Sequence, residues 1–297
     1  MPKTLITPVK IFLLAITLIL LSLFIYNSQK ENHKIENYQI PAASPKPQLN
    51  ENLKAERAGT ITAAIQSTLA KAQGRYSIYI KDLKYNQTFE YKSQEFYTSA
   101  SVYKLAVMYK TFDALEKNDI EKEDILSTIN TDSPKKFSYS IGEALRLMIT
   151  VSDNTSATLL AEKLGWVNIE KFLVEVGIEN FKLTKEPEST AVSTAQILER
   201  IYTGNAVSKQ ASNDMKKLLL AQTVNDRIPK YLPKNIKVAH KTGELDTLRH
   251  DAGIVYGKKS DYIFVFFSDS PKPEVASETI AMLAKIVFDL LEVNSLN

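Results

Sequence analysis

Segments with the pattern of β-strands lie at both ends of the folded part of this 297-residue chain, on either side of a long helical run. Near the N-terminal end, residues 76–83 alternate apolar with polar or smaller side chains, and residues 88–93 return after a short turn, which predicts a hairpin. Near the C-terminal end, β-rich segments follow one another at residues 236–242, 252–256 and 262–268. Because strands from both ends enclose helices, we expect them to join in one five-stranded antiparallel sheet.

The segments between and outside these strands have the apolar spacing of helices. Several of them stop at a glycine, the residue that most often ends a helix. The predicted helices cover residues 55–73, 101–116, 141–150, 155–164, 169–176, 193–202, 209–221 and 277–291. The fold class is therefore α/β in the α+β arrangement, with a sheet flanked by helices and an additional all-helical lobe.

Three short motifs occur in order along this pattern. A serine with a lysine three residues later opens an apolar helical run, a Ser-Asp-Asn tripeptide lies between two helices, and a Lys-Thr-Gly tripeptide ends a strand. A second Ser-x-x-Lys match, from Ser133 to Lys136, lies in a polar stretch with a proline inside it and is interpreted as a solvated loop. Each motif is weak alone, so their order and context carry the argument. The motif residues are Ser101, Lys104, Ser152, Asp153, Asn154, Lys241, Thr242 and Gly243.

The first motif has the composition of an activated nucleophile. A serine hydroxyl is a poor nucleophile by itself and needs a base. Lys104 follows Ser101 by one helical turn on the same face, and a helix N-terminus favours negative charge that develops at Ser101. Lys104 can act as a base only when its amine is neutral. Burial and the nearby charge of Lys241 would both lower the pKa of Lys104 and so favour the neutral form. The alternative for Ser101 is a plain helix cap, a common position for serine.

In this order and context the three motifs resemble those of the penicillin-recognising serine hydrolases, and more narrowly those of the class A β-lactamases. The resemblance runs from about Arg75 to the C-terminus. It implies a β-lactamase-like fold with the active site in the groove between the two lobes, and no need for a metal or an organic cofactor. It also implies that Ser101 is the nucleophile, assisted by Lys104. Ser152 would then pass a proton to the leaving nitrogen, and Asn154 would bind the side-chain amide of the substrate.

The same resemblance makes the third motif a site for the substrate. Lys241 and Thr242 are expected to face the substrate carboxylate. Gly243 is expected to let the substrate backbone approach closely, since it has no side chain.

Two further features follow from the resemblance. The backbone amides of Ser101 and Glu244 would form the oxyanion hole, which stabilises the negative oxygen of the transition state. Arg249 is a candidate for additional positive charge towards the substrate, with a structural ion pair to Asp251 as the alternative.

Class A β-lactamases also carry a glutamate on a long loop after the Ser-Asp-Asn motif, where it activates the water that removes the acyl group. Glu186, in Glu186-Pro187-Glu188, resembles it in sequence and in rough position. However, the next predicted helix begins by about residue 193, and Thr190 stands where the family has an asparagine, so the loop looks truncated. Glu186 is thus either the deacylating base or an ordinary solvated carboxylate. Without a base, the acyl-enzyme would turn over slowly, as in a penicillin-binding protein.

The N-terminal segment has the pattern of a membrane anchor. Residues 11–26 are almost entirely apolar and follow Lys3 and Lys10, as in a signal anchor or a signal peptide. No small-x-small cleavage site follows closely, which favours an uncleaved transmembrane helix with its positive end in the cytoplasm. The expected organisation is an anchor at residues 1–26, a flexible linker at 27–54 and an extracytoplasmic catalytic domain at 55–297.

Composition argues against several other functions. The net charge of +3 is too small to predict nucleic-acid binding, and no cysteine is present for disulfides or thiolate metal sites. The three histidines, His33, His240 and His250, are too dispersed to predict a metal site. We expect a monomer whose partners are a small molecule, either a β-lactam or a cell-wall peptide, and the membrane.

These observations together predict a membrane-anchored, extracytoplasmic serine hydrolase. Its expected reaction is the opening of β-lactams through an acyl-serine intermediate, with a part in β-lactam breakdown and antibiotic resistance. One alternative is a D,D-peptidase, or penicillin-binding protein, that acts on the peptides of peptidoglycan and reacts slowly with β-lactams. The other alternative is a β-lactam sensor that is acylated once and does not turn over.

Overall fold

The computed structural model describes residues 49–129, 136–183 and 186–293. Strands from both ends of the chain meet in one five-stranded antiparallel sheet, which confirms the prediction. The strands of the described residues are β1 (Arg75–Asp82), β2 (Gln87–Tyr91), β3 (Tyr97–Thr98), β4 (Ile125–Ile129), β5 (Lys136–Ser140), β6 (Phe181–Lys182), β7 (Glu188–Ser189), β8 (Lys237–Leu245), β9 (Leu248–Tyr256) and β10 (Tyr262–Asp269). The order in the large sheet is β2-β1-β10-β9-β8, so the N-terminal hairpin pairs with the last strand.

Helices cover both faces of this sheet. Those of the described residues are α1 (Glu51–Leu69), α2 (Lys104–Glu116), α3 (Ile141–Thr150), α4 (Asn154–Leu164), α5 (Trp166–Glu175), α6 (Ala191–Thr203), α7 (Lys209–Leu220) and α8 (Pro273–Val293). The first and last helices contribute to one hydrophobic core with the sheet, and the six between them contribute to the other.

The sheet lies between the two cores, and successive side chains along its strands belong to one core and then to the other. In β10, Ile263, Val265 and Phe267 belong to the core shared with the helical lobe, whereas Phe264 and Phe266 belong to the core under α1 and α8. Successive side chains of a strand point to opposite faces, so a sheet with helices on both sides needs apolar residues at every position. This explains why β10 is apolar throughout its central part instead of alternating with polar residues.

Several element boundaries differ from the predicted ones. α1 begins at Glu51, where Asn50 caps it by accepting a hydrogen bond from Leu53 N (2.8 Å), and not at residue 55. The helix predicted from residue 101 begins as a 3-10 turn, Ala100–Tyr103, and becomes α-helical at Lys104. The hairpin of β4 and β5 and the small sheet of β3, β7 and β6 were not predicted. The strands β3, β6 and β7 have only two residues each, which is too short to show an alternating pattern of apolar and polar residues. Their pairing also depends on distant parts of the chain.

The predicted transmembrane helix at residues 11–26 and most of the predicted linker lie outside the described residues, as does Ser133 of the second Ser-x-x-Lys match. Within residues 49–129, 136–183 and 186–293, no helix combines the length and the apolar character needed to cross a membrane.

Candidate active site

Ser101 lies in the 3-10 turn that leads directly into α2. Val102 N donates to Ser99 O (3.0 Å), and this hydrogen bond closes the first turn. The amide of Ser101 comes one residue earlier in the chain. The first N–H groups of a helix have no partner inside the helix, so this amide is available to a ligand. The hydroxyl of Ser101 makes no hydrogen bond with any other residue that the structure describes. The predicted nucleophile is therefore free to react.

Lys104 is fully buried at the start of α2. Its Nζ atom donates to Ser152 O (2.7 Å), to Asn154 Oδ1 (2.7 Å) and, at a longer distance, to Ser152 Oγ (3.2 Å). Burial lowers the pKa of Lys104 from 10.5 to about 8, against the opposing effect of the Asp153 carboxylate. At pH 7 the amine is then neutral in about a tenth of the molecules. The predicted lowering of the Lys104 pKa is found, and its main cause is burial.

Lys241 approaches the same hydroxyl from the sheet. It is fully buried on β8, and its Nζ atom donates to Ser152 Oγ (2.9 Å) and to Thr242 O (2.7 Å). Burial, followed by the positive charge of Lys104, lowers the pKa of Lys241 well below its usual value. Two amines with lowered pKa values thus share one serine oxygen, an arrangement suited to moving protons.

Ser152 has an unusual backbone conformation for a residue with a side chain, at φ +60°. This left-handed region costs about 1–2 kcal/mol for a non-glycine residue. The conformation is held by Lys104, which bonds the carbonyl of Ser152, and by Asp153, which caps α4 by accepting a hydrogen bond from Ser156 N (2.6 Å). Strained backbone of this kind is common where a side chain must be aimed at a reaction centre.

Gly243 lets two parts of the protein approach each other closely. A Cβ atom at this position would lie 3.0 Å from Ser99 O, 3.0 Å from Val102 Cγ2 and 3.2 Å from Val102 N. We predicted that the missing side chain would admit the substrate backbone, and the structure shows that it admits the turn that carries Ser101. Thr242, just before it, is almost completely buried.

Glu186 lies beside the strand that leads to the nucleophile. Pro187 O accepts hydrogen bonds from Ser99 N (2.7 Å) and Ser99 Oγ (3.0 Å), and Glu188 pairs with Thr98. The Glu186 side chain is exposed and makes no hydrogen bond or ion pair with another described residue. Only four residues, 187–190, separate it from α6, and Thr190 caps that helix by accepting a hydrogen bond from Ser193 N (3.2 Å). The segment is therefore short and its carboxylate is not held in place by the described residues.

Arg249 is partly buried and is bound to the turn between β8 and β9. Its Nη1 atom donates to Leu248 O (2.7 Å) and to Asp246 O (3.2 Å). The alternative ion pair with Asp251 was wrong, because Asp251 binds His240 and the amide of Ile228 instead.

A different arginine, Arg227, provides the buried positive charge at the end of β8. It is 0% exposed and forms an ion pair with Glu244, whose side chain is 62% exposed. Its guanidinium also lowers the pKa of Lys241, although less than burial and Lys104 do. Sequence reasoning missed Arg227, since nothing in its local sequence predicts burial of an arginine in a loop. The predicted substrate-binding residue Glu244 therefore brings a negative charge next to this cation.

Two buried histidines, also missed, support the site from behind. His240 Nδ1 lies 2.9 Å from Asp251 Oδ1, and its Nε2 lies 3.2 Å from Asn225 Oδ1. The sequence signal that could have identified His240 as part of the site is its position directly before the Lys-Thr-Gly motif. This pair joins β8 to β9 behind Lys241.

His250 connects the sheet to the strand before the nucleophile. It donates from Nε2 to Thr98 O (2.9 Å) and accepts at Nδ1 from Ser268 N (3.1 Å). Burial lowers the pKa of His250 to about 4, so the ring is neutral at physiological pH. Within the described ranges, no three His, Asp or Glu side chains converge as they would to hold a metal ion.

Comparisons with known proteins agree with this geometry. The family model described as "Beta-lactamase enzyme family" matches residues 60–291. The β-lactamase BRO-1 of Moraxella catarrhalis is 28% identical over 144 residues, which cover 42% of this chain and 45% of BRO-1. The aligned part thus spans less than half the length of that relative.

Two solved structures share the fold. A class A β-lactamase from Bacteroides cellulosilyticus DSM 14838 has a TM-score of 0.73 at 21% identity, over 80% of this chain and 99% of that one. A variant of PBP-A, solved as an acyl-enzyme complex with penicillin G, has a TM-score of 0.73 at 20% identity, over 84% of this chain and 99% of that one. Since the family model covers most of the residues that carry the three motifs and the fold, the chain belongs to the β-lactamase enzyme family and is a serine hydrolase of the β-lactamase type.

Proposed function

We propose that this protein opens β-lactams through an acyl-serine intermediate on Ser101. The observation that carries the proposal is the contact of Lys104 and Lys241 with the hydroxyl of Ser152, beside the turn that holds Ser101. Both amines have lowered pKa values, so a proton can move through this group near neutral pH. The β-lactamase BRO-1 and the penicillin G acyl-enzyme of PBP-A add support from related proteins.

In the proposed acylation, Ser101 Oγ forms a bond to the lactam carbonyl carbon while the carbon–nitrogen bond of the ring breaks. The proton of Ser101 passes to the neutral form of Lys104. Ser152 gives its proton to the leaving nitrogen and recovers one from a lysine, so no proton is gained or lost in total. The amides of Ser101 and Glu244 would stabilise the negative oxygen, a contribution of about 3–4 kcal/mol per donor in other acyl-transfer enzymes.

A second candidate is a D,D-peptidase, or penicillin-binding protein, that is acylated quickly and released slowly. The observation that favours it is the exposed carboxylate of Glu186, which no described residue holds in place, on a segment four residues before α6. A general base must be positioned to activate a water molecule. With a carboxylate that no described residue positions, loss of the acyl group would limit turnover.

Intact-protein mass spectrometry tests the assignment of the nucleophile. Full-length protein is mixed with penicillin G, and Ser133→Ala serves as the matched control because Ser133 also opens a Ser-x-x-Lys sequence. We expect an adduct on the wild type and on Ser133→Ala, and none on Ser101→Ala. Full labelling of Ser101→Ala would reject the proposal.

The same measurement, followed over time, separates the two candidates. A persistent adduct with little hydrolysis supports the peptidase. Rapid hydrolysis with mostly free enzyme supports the β-lactamase. In that case Glu186→Gln is decisive: an adduct that accumulates only in this variant identifies Glu186 as the deacylating base, and unchanged hydrolysis excludes it.

We also propose that residues 11–26 anchor the protein in the cytoplasmic membrane, with the catalytic domain outside and a role in β-lactam resistance. The support is the apolar run behind Lys3 and Lys10 without a nearby cleavage site. Cell fractionation with N-terminal sequencing tests the anchor. A soluble product that begins between residues 27 and 45 would show a cleaved signal peptide instead. Resistance is tested by expressing the wild type and Ser101→Ala in a susceptible host.

A further inference from the structure

A cleft of about 550 Å³ lies between α3 and α7, outside the candidate active site. Its apolar surface comes from Phe112 of α2, Leu145 of α3 and Leu218 of α7. Neither Ser101 nor the two lysines that contact Ser152 line it. Clefts of this volume, with apolar walls and a few polar groups, are typical of sites for small organic molecules.

The charged groups around this cleft are mostly positive. Lys122, Arg146 and Lys217 line it with a single carboxylate, that of Asp214. Lys217 donates to Asp214 (2.8 Å), so this pair is neutral as a whole. Lys122 and Arg146 make no ion pair or side-chain hydrogen bond with any residue inside the described ranges. The Asp214 carboxylate also interacts with the charge of Lys122. Three cations against one carboxylate leave an excess of positive charge in the cleft, which attracts an anion.

The fold brings Lys122 and Arg146 to the same side of the cleft. Gly142 N donates to Lys122 O (2.9 Å), which holds Lys122 against the first turn of α3. Arg146 follows Gly142 by one turn on the same helix, where residues four apart are neighbours on the surface. An anion between them would have the apolar wall of the cleft beside it.

An apolar residue is also exposed in the cleft, directly after the last residue of α3. This residue is Val151, which is 49% exposed. Thr223, from the segment after α7, donates to Thr150 O from both N and Oγ1 (3.0 Å each), which ties that segment to the end of α3. The cleft thus offers apolar surface at Val151 and positive charge at Lys122 and Arg146. A ligand that matches both has an apolar body and one anionic group.

We propose that this cleft binds a free small organic anion, an aromatic or alkyl carboxylate or sulfonate, with its charge between Lys122 and Arg146 and its apolar part against Phe112, Leu145 and Val151. The site is separate from the acylation chemistry at Ser101. Its occupation does not depend on whether the protein is a β-lactamase or a peptidase.

Equilibrium dialysis of full-length protein against naphthalene-2-sulfonate tests the proposal, with the same detergent concentration in both chambers so that partition into micelles cancels. Naphthalene-2-sulfonamide, which has the same rings without the charge, is the comparison ligand. We expect the sulfonate to bind and the sulfonamide to bind at least about fivefold more weakly. Equal affinity for the two ligands would overturn the proposal.

Variants locate the binding site. Removing both cations, as Lys122→Gln with Arg146→Gln, is expected to weaken sulfonate binding about tenfold, and Asp214→Asn to strengthen it about threefold. Lys163→Gln with Lys171→Gln is the matched control, since both lysines are exposed on other helices. The proposal fails if the first pair of changes has no more effect than the control pair. It also fails if Lys241→Gln abolishes binding while Lys122→Gln with Arg146→Gln does not, because the probe would then lie in the active site.

Discussion

Lys104 and Lys241 direct their Nζ atoms at the same oxygen, Ser152 Oγ, at 3.2 and 2.9 Å. One lysine comes from the helix that follows the nucleophile and the other from the sheet. Two ammonium ions so close would repel each other in a buried site, where charges are weakly screened. Burial lowers the pKa of both lysines, and at Lys241 the positive charge of Lys104 lowers it further, so both amines are suited to exchanging protons with Ser152.

The first prediction concerns the pH dependence of acylation. Lys104 must be neutral to accept the proton of Ser101, and its pKa is about 8. The acylation rate is therefore expected to rise about tenfold per pH unit below pH 8 and to level off above it. Stopped-flow measurements with a chromogenic β-lactam between pH 6 and 10 check this.

Two variants identify the groups behind that profile. Lys104→Gln and Ser152→Ala should each slow acylation about a hundredfold or more, the usual scale for a proton-transfer group. Only Lys104→Gln is expected to remove the inflection near pH 8. An acylation rate close to that of the wild type in either variant would exclude that residue from the proton path.

The second prediction concerns the packing at Gly243. In Gly243→Ala the new methyl group would press on Ser99 O and on Val102, which carry the turn around Ser101. We expect unfolding free energy to fall by about 1–3 kcal/mol and acylation to slow about tenfold or more, since small displacements of a nucleophile are costly. Gly59→Ala is the matched control, because a methyl group there meets nothing within 4 Å on a helix. That change should stabilise the protein slightly and leave acylation unaltered.

The third prediction concerns the ion pair of Arg227 with Glu244. The Glu244 carboxylate lies on β8 just after the Lys-Thr-Gly motif. If that motif faces the substrate carboxylate, as expected, the charge of Glu244 would repel it. Glu244→Gln keeps an oxygen for Arg227 but removes the negative charge. We expect kcat/KM for a carboxylate-bearing β-lactam to rise about three- to tenfold relative to that for its methyl ester. Equal changes for the acid and the ester would show that the charge of Glu244 does not act on the substrate.

The fourth prediction concerns the neutral, buried His250. Its pKa is about 4 in the folded protein and 6.5 in the unfolded chain, so unfolding takes up a proton between these values. Stability is therefore expected to fall as the pH drops from about 6.5 towards 4, by up to about 3 kcal/mol from this group. Urea unfolding of the wild type and of His250→Gln across this range isolates the effect. Parallel curves for the two proteins would rule out His250 as its source.

Much of this molecule could be predicted from local sequence patterns. The alternation in β1 and β2 and the apolar runs near the C-terminus indicated the hairpin and the three later strands that share its sheet. The helices of the lobe were predicted at nearly their observed bounds, because spacing and glycine stops are local signals. The three motifs predicted Lys104, Ser152 and Lys241 as site residues. In the fold, both lysines form hydrogen bonds with the Ser152 hydroxyl.

What only the tertiary structure decided depends on which distant segments touch. From the sequence we expected Gly243 to contact the substrate and Arg249 to be the additional cation. In the structure, the turn that carries Ser101 packs against Gly243. A buried arginine, Arg227, pairs with Glu244. No local period marks such contacts, because Arg227 and Glu244 lie 17 residues apart and meet only when β8 is in the sheet. The sequence by itself determined the helices, the strands of the large sheet and the reactive groups, since these depend on near neighbours. The burial that lowers the pKa values of the two lysines depends on the assembled cores, and so it required the fold.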